Sequence, residues 1–176
     1  MERVAASFRS TYHHKVDGKG RVSVPAAFRR TLEQGDPDWS EEARVQPRAI
    51  LLLGAGEHPC IEVYTVAGMA ALEDRARASG DYDVIEAFAE EVVANSLEVR
   101  LDDAGRLLLG RELRDRLGIT DEAVFVGKLD RFEIWEPRAR AAFRAAFEAD
   151  EGAQARRREM MRRLMRVPLS GGGGGQ

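Results

Sequence analysis

Six basic side chains, Arg9, Lys15, Lys19, Arg21, Arg29 and Arg30, stand between positions 9 and 30 against one acid, Asp17. That stretch therefore carries +5 in a chain whose formal net charge is −3. Such segregation is what phosphate binding asks for. Arg21 follows a glycine-bearing turn. A guanidinium on a β-ribbon narrow enough to enter a major groove can take guanine O6 and N7 bidentately. Lys19 lies at the turn tip, and as a point charge on a flexible stem it suits phosphate better than base. Arg29 and Arg30 fall at the end of a short helix and could flank the same groove. The plainer alternative is that these are solvated charges whose stems cover apolar surface. Asp17 stands four residues before Arg21, as Asp102 does before Arg106. A carboxylate beside phosphate would be repelled, so these acids either accept backbone N–H bonds in the turn or hold the arginine in position. Gly18, Gly20 and Gly105 supply turn geometry.

Other chemistries find little support. Gly54, Ala55 and Gly56 lack the Lys-Ser/Thr that completes a phosphate loop. His13, His14, His58 and Cys60 show no metal-ligand spacing, so no metal or other cofactor is expected. No serine, cysteine or lysine has a base beside it, so the chain reads as a non-enzyme. With 27 Lys plus Arg against 30 Asp plus Glu, affinity for a polyanion must come from a local patch. A single cysteine cannot form an intrachain disulfide, which fits a reducing compartment. The N-terminus has no apolar signal core, and the longest apolar run, 49–53, is far short of the roughly 20 residues of a membrane helix. A cytoplasmic, nucleoid-associated protein with no membrane partner is expected.

The elements that position these residues come in two copies. DGKGRVSVPAAFRRTL at 17–32 matches DDAGRLLLGRELRDRL at 102–117 at a constant offset of 85, and CIEVY at 60–64 matches RFEIW at 131–135 at an offset of 71. Alternating residues around each turn predict two strands joined by a tight loop. Pro25 can open a helix over 26–32. The second helix, 111–117, ends at Gly118, a left-handed cap. Strand pairs follow at 50–53 with 61–64 and at 123–126 with 132–135. Copy one is longer by a polar excursion at 35–46, expected on the surface. Helices are expected at 67–79 and 83–94, punctuated by Gly80, and this arm carries −6 over 68–98, which repels DNA. Two further segments, 136–150 and 153–166, read as helical, the latter with six arginines and one glutamate.

The string VDGKGRVSVPAAFRRTL at 16–32 resembles the AbrB type of swapped-hairpin DNA-binding domain. Two such units, the second ending in RFEIW, resemble the MraZ family of bacterial transcriptional regulators over roughly residues 8–147. The resemblance implies an α+β fold in which two tandem units form one β-rich barrel with flanking helices. It also implies a ring-like homo-oligomer and binding to double-stranded DNA at repeated sites upstream of the division and cell-wall gene cluster, as a repressor. The expected DNA-binding set is Lys19, Arg21, Arg29, Arg30, Arg106, Arg9 and Lys15, with Asp17, Gly20, Asp102 and Gly105 supporting the turns. Copy two departs from copy one with Gly110 for Pro25 and Asp115 for Arg30, and Ser10 stands where the family usually has glycine.

The expected organisation is a first unit at 8–66, a helical acidic arm at 67–95, a second unit at 96–136, an arginine-rich helical segment at 137–166, and a Gly-rich tail without order at 167–176. The tail helix reads three ways: a second nucleic-acid contact, a helix packing Met160, Met161, Leu164 and Met165 on a neighbouring subunit, or a solvated end. Its +5 could also dock on the acidic arm of an adjacent chain. The alternative function is a non-catalytic, antitoxin-like interaction module that uses this basic segment.

Overall fold

Alternating apolar residues give short strands, and the Pro25 and Gly110 sites release the chain into helices, so both copies follow one element order. The computed structural model describes residues 7–53 and 58–166. Copy one contains β1 (Thr11–Lys15), β2 (Arg21–Ser23), α1 (Ala26–Gln34), β3 (Arg48–Leu53) and β4 (Cys60–Tyr64). The arm follows as α2 (Val66–Ala78), α3 (Tyr82–Phe88) and a π-helical turn, Ala89–Val93. Copy two contains β5 (Ser96–Arg100), β6 (Arg106–Leu108), α4 (Arg111–Leu117), β7 (Glu122–Gly127) and β8 (Arg131–Trp135). The described residues up to 137 and those from 138 onward form two compact units, and within the second lie most of α5 (Pro137–Ala149) and all of α6 (Glu151–Arg166). Positions 54–56 and the Gly-rich tail lie outside the described residues.

The class is α+β, and the copies are interleaved. A six-stranded antiparallel sheet runs β1-β7-β8-β4-β3-β5, and a separate two-stranded ribbon pairs β2 with β6. Thus β1 of copy one pairs with β7 of copy two, and β5 of copy two pairs with β3 of copy one. Two expectations are corrected here. The strands flanking each turn do not form a local hairpin: the β-pairing of β1 with β2 stops at the Val16↔Val22 bridge, because β2 places its ladder on β6. Nor does the sheet close into a barrel. Edge strands β1 and β5 are each bonded on one side, and the ribbon forms a sheet of its own.

One core serves both copies. Val16, Val22, Val24, Phe28 and Leu32 of copy one pack with Leu101, Leu107, Leu109, Phe125 and Phe132 of copy two. Phe28 sits at its centre, with ring centroids 5.3 Å from Phe8, 5.3 Å from Tyr12 and 4.9 Å from Phe132. Its counterpart Leu113 is only partly buried. On the other face of β3, Ile50 and Leu52 cluster with Tyr64 and Met69 beneath α2. The CIEVY and RFEIW repeat becomes a hydrogen-bond repeat. Tyr64 Oη donates to Glu62 at 2.7 Å and Trp135 Nε1 to Glu133 at 2.8 Å, while Arg131 and Lys128 lie 3.3 and 3.6 Å from these directly opposed glutamates. Like charges facing each other across a ladder are tolerable only with such partners.

The excursion at 35–46 is not wholly superficial. Asp36 is buried and takes Arg48 Nη2 at 2.6 Å and the Arg48 backbone N–H at 2.8 Å, while Arg48 also reaches Asp38 and Glu98. This cluster ties the excursion to β3 and to the edge strand β5. The expected helix at 83–94 is α-helical only to Phe88 and finishes as the π-helical turn.

Candidate nucleic-acid interface

The two Asp-x-x-x-Arg segments fold alike. Asp17 Oδ1 accepts the backbone N–H groups of Lys19 and Arg21, both at 2.9 Å, and its Oδ2 accepts Arg21 Nε–H at 2.7 Å. Asp102 does the same with Ala104 at 3.0 Å, Arg106 N–H at 2.9 Å and Arg106 Nε–H at 2.7 Å. Each turn closes when a glycine N–H reaches the aspartate carbonyl at 2.8 Å, with φ of 85° at Gly20 and 71° at Gly105. Only glycine adopts that left-handed conformation without strain. The Arg21 backbone N–H, aided by its guanidinium, outweighs partial desolvation and draws the Asp17 carboxyl down to about 2. At Asp102 desolvation pulls upward and is outweighed by the Arg106 backbone and side-chain bonds, so its carboxyl also lies low.

The ribbon brings the two arginines together. Its register is Arg21↔Leu108, Val22↔Leu107 and Ser23↔Arg106. Val22 and Leu107 are buried, so by alternation Arg21, Ser23, Arg106 and Leu108 share the opposite face. Arg21 and Arg106 are diagonal neighbours there, about 7–8 Å apart in the backbone. Their side chains are 36% and 32% exposed, and since Asp17 and Asp102 occupy Nε, the two terminal nitrogens of each fork stay available among the described residues. The ladder extends through Val24 N–H to Gly105 O at 3.1 Å and Leu109 N–H to Gly20 O at 2.8 Å, which puts the turns at opposite ends of the ribbon.

The remaining basic residues divide. A Cβ on Gly105 would collide with Nη1 and Cδ of Arg29, so Arg29 of α1 crosses onto the turn of the other copy. Arg114 of α4 does the reverse: it lies 2.7 Å from where a Cβ on Gly20 would stand, and its Nε donates to Leu109 O at 3.0 Å. Lys19 is exposed at the first turn tip, and Lys15, exposed opposite Glu122, ends β1 close by. Arg30 is exposed on α1. Arg9 is drawn away. It bonds Ser7 at the far end of β1, separated from the turn by the strand's length, about 13 Å at 3.3 Å per residue.

The sequence model of the family described as "MraZ protein … antitoxin-like" matches residues 92–163, from the end of the arm through copy two and into α6. Proteins named transcriptional regulator MraZ are similar over most of the chain. The one from Ruegeria pomeroyi is 35% identical, covering 76% of this chain and 80% of its own. That from Cereibacter sphaeroides (strain ATCC 17025) is 37% identical over 82% and 89%, and that from Gluconobacter oxydans 33% identical over 93% and 94%. The chain belongs to the MraZ family.

Within this MraZ chain the tertiary structure brings two further residues to the candidate interface. Arg114 carries a signal that sequence could have supplied, since the offset of 85 sets it on Arg29. Leu108, 63% exposed opposite Arg21 on the ribbon, carries one too, since alternation with the inward-facing Leu107 and Leu109 turns it outward. The copies also differ in charge. The first turn tip reads Gly18-Lys19 and the second Asp103-Ala104, so the first tip bears a cation and the second an anion. Among the described residues, no group of three or more His, Cys, Asp or Glu is placed to hold a metal ion, and no helix is long and apolar enough to cross a membrane.

Proposed function

We propose that this chain is a sequence-specific DNA-binding transcriptional regulator whose β2–β6 ribbon enters the major groove of duplex DNA. The observation that carries the proposal is the pairing of Arg21 and Arg106, 85 residues apart in sequence, on the open face of one ribbon, each held by its own aspartate. A guanidinium fixed through Nε presents a planar fork of two terminal nitrogens, the shape that reads guanine O6 and N7. Arg21 and Arg106 read base edges, and Lys19, Lys15 and Arg30 contact phosphates on the flanks. Arg29 and Arg114 brace the turns and add positive potential beneath the backbone. Arg9 stands outside this interface. The transcriptional regulator name borne by the similar proteins supports the same role. The protein represses the division and cell-wall gene cluster from repeated upstream sites, and it acts in the cytoplasm as a nucleoid-associated homo-oligomer, since repeated weak contacts become tight when several copies engage matching sites. It performs no catalysis.

A mobility-shift assay on DNA upstream of the chain's own gene tests this. Wild type should bind in preference to a scrambled duplex, and Arg21→Ala should lose that preference. Undiminished preference in the variant refutes the role of the ribbon.

A further inference from the structure

The open face of the ribbon carries Arg21 and Ser23 from β2 with Arg106 and Leu108 from β6. The first three can form hydrogen bonds. Leu108 can form none, yet it is exposed and stands directly opposite Arg21 in the register. It takes no part in the core beneath, which Val22 and Leu107 reach from the buried face. The two copies differ at this point. The offset of 85 sets Leu108 on Ser23, so a hydroxyl in copy one is replaced by an isobutyl group in copy two.

A single exposed leucine is ordinary on a protein surface. Its place on a face that meets base edges gives it a consequence. In the major groove those edges present hydrogen-bond donors and acceptors, and the apolar group among them is the thymine C5-methyl. An isobutyl group set against cytosine N4 or guanine O6 strips water from a polar atom and returns no hydrogen bond, a net loss. Set against a thymine methyl, it buries apolar surface on both partners.

We propose that Leu108 is a specificity-determining residue that reads a thymine through its C5-methyl group, close to the guanine taken by Arg21. The inference rests on the ribbon entering the major groove. Opposed residues of an antiparallel pair stand about 4.5–5.5 Å apart at Cβ, and successive nucleotides of a strand about 3.4 Å apart along the axis, so the thymine lies within about two base pairs of that guanine. Ser23, opposite Arg106, offers a hydroxyl in the corresponding place, so the two halves of the face ask for different bases.

Deoxyuridine differs from thymidine by the methyl group alone and keeps the base pair, so it isolates the contact. The full chain is titrated by fluorescence anisotropy with the duplex upstream of its own gene, thymines being replaced by deoxyuridine one at a time. Wild type should lose about fourfold in affinity at one position or more, roughly the worth of one buried methyl group. At that position Leu108→Ala and Leu108→Ser should bind the thymine and deoxyuridine duplexes equally, while still preferring the upstream duplex to a scrambled one. Leu108→Met, which keeps an apolar tip, should keep the sensitivity. 7-Deazaguanine, which lacks the N7 acceptor, locates the guanine of Arg21 as the position where it weakens wild type but not Arg21→Ala; a sensitive thymine far beyond two base pairs from it overturns the assignment. Wild type indifferent to deoxyuridine at every position, with its preference for the upstream duplex intact, overturns the role of Leu108 and leaves that of the ribbon standing. Equal losses in wild type and Leu108→Ala overturn it too, since the methyl is then felt by another residue or through the stiffness of the duplex. Wild type without any preference for the upstream duplex refutes the DNA-binding proposal itself, and the reading of thymine with it.

Discussion

Replacing Asp17 by Asn separates positioning from charge at the proposed reading head. The Asn carbonyl oxygen can still accept the Lys19 and Arg21 backbone N–H groups, both 2.9 Å from Asp17 Oδ1, so the turn survives. The Asn amide, however, sets a donor against Arg21 Nε where Oδ2 now accepts at 2.7 Å, so the guanidinium loses its anchor. The ribbon also gains one positive charge. Preference and affinity must therefore move in opposite directions. A bidentate arginine to guanine contact is worth about 1–3 kcal/mol of discrimination, roughly 5- to 150-fold in the ratio of specific to scrambled binding. Asp17→Asn should lower that ratio by at least about fivefold, the bottom of the range, while binding to scrambled duplex holds or tightens. Lys19→Ala should weaken both duplexes alike and flatten the log–log salt slope by about 0.9, one phosphate contact. Fluorescence anisotropy with both duplexes, across roughly 50–200 mM salt, measures all of these quantities. An Asp17→Asn protein that binds both duplexes equally worse, or keeps its full preference, would refute the reasoning that this carboxylate aims Arg21.

The other expectations concern stability and reactivity. Gly20→Ala drives a Cβ into the Leu109 carbonyl oxygen at a φ of 85°, so it should cost about 2 kcal/mol or more in urea titration, whereas Gly18→Ala, with nothing within 4 Å and no positive φ, should change little. Phe28→Ala should destabilise by about 3–5 kcal/mol and Leu113→Ala by about 2 kcal/mol or less, because only the first side chain is fully enclosed; equal losses would contradict the packing described. Asp17, Asp36 and Asp102 have carboxyls held below 3.8 in the folded chain, so the stability they confer is complete above about pH 4 and drains as pH falls towards 2; a melting temperature flat between pH 5 and pH 2 would count against those bonds. Burial, reinforced by Glu133 and Glu62, pushes the Cys60 thiol up to about 12, so a thiol reagent at pH 8 should react only after denaturation.

Much of the architecture is legible along the chain because it is local. The offsets of 85 and 71 reveal the duplication, alternation marks the strands, and Asp, Gly and Arg at fixed spacing specify each turn by bonds that span four residues. The second helix ends at Gly118 with φ of 71°, as its residue type requires. Asp36 was less readable: as one acid in a polar stretch it gives no sign that Arg48, twelve residues on, will enclose it.

Pairing between the copies lies beyond local pattern. Alternation tells which residues of β2 share a face, yet whether β2 bonds β1 or β6 depends on which strand offers a free edge once both copies have collapsed on one core. That choice decided the interface. It set Arg21 beside Arg106, carried Arg29 and Arg114 across to each other's turns and left Arg9 behind. The sequence by itself determined which side chains could bind an anion and how each turn holds its arginine. The tertiary structure alone determined which of them act together, because hydrogen bonds across a ladder join residues by register and take no account of their distance along the chain.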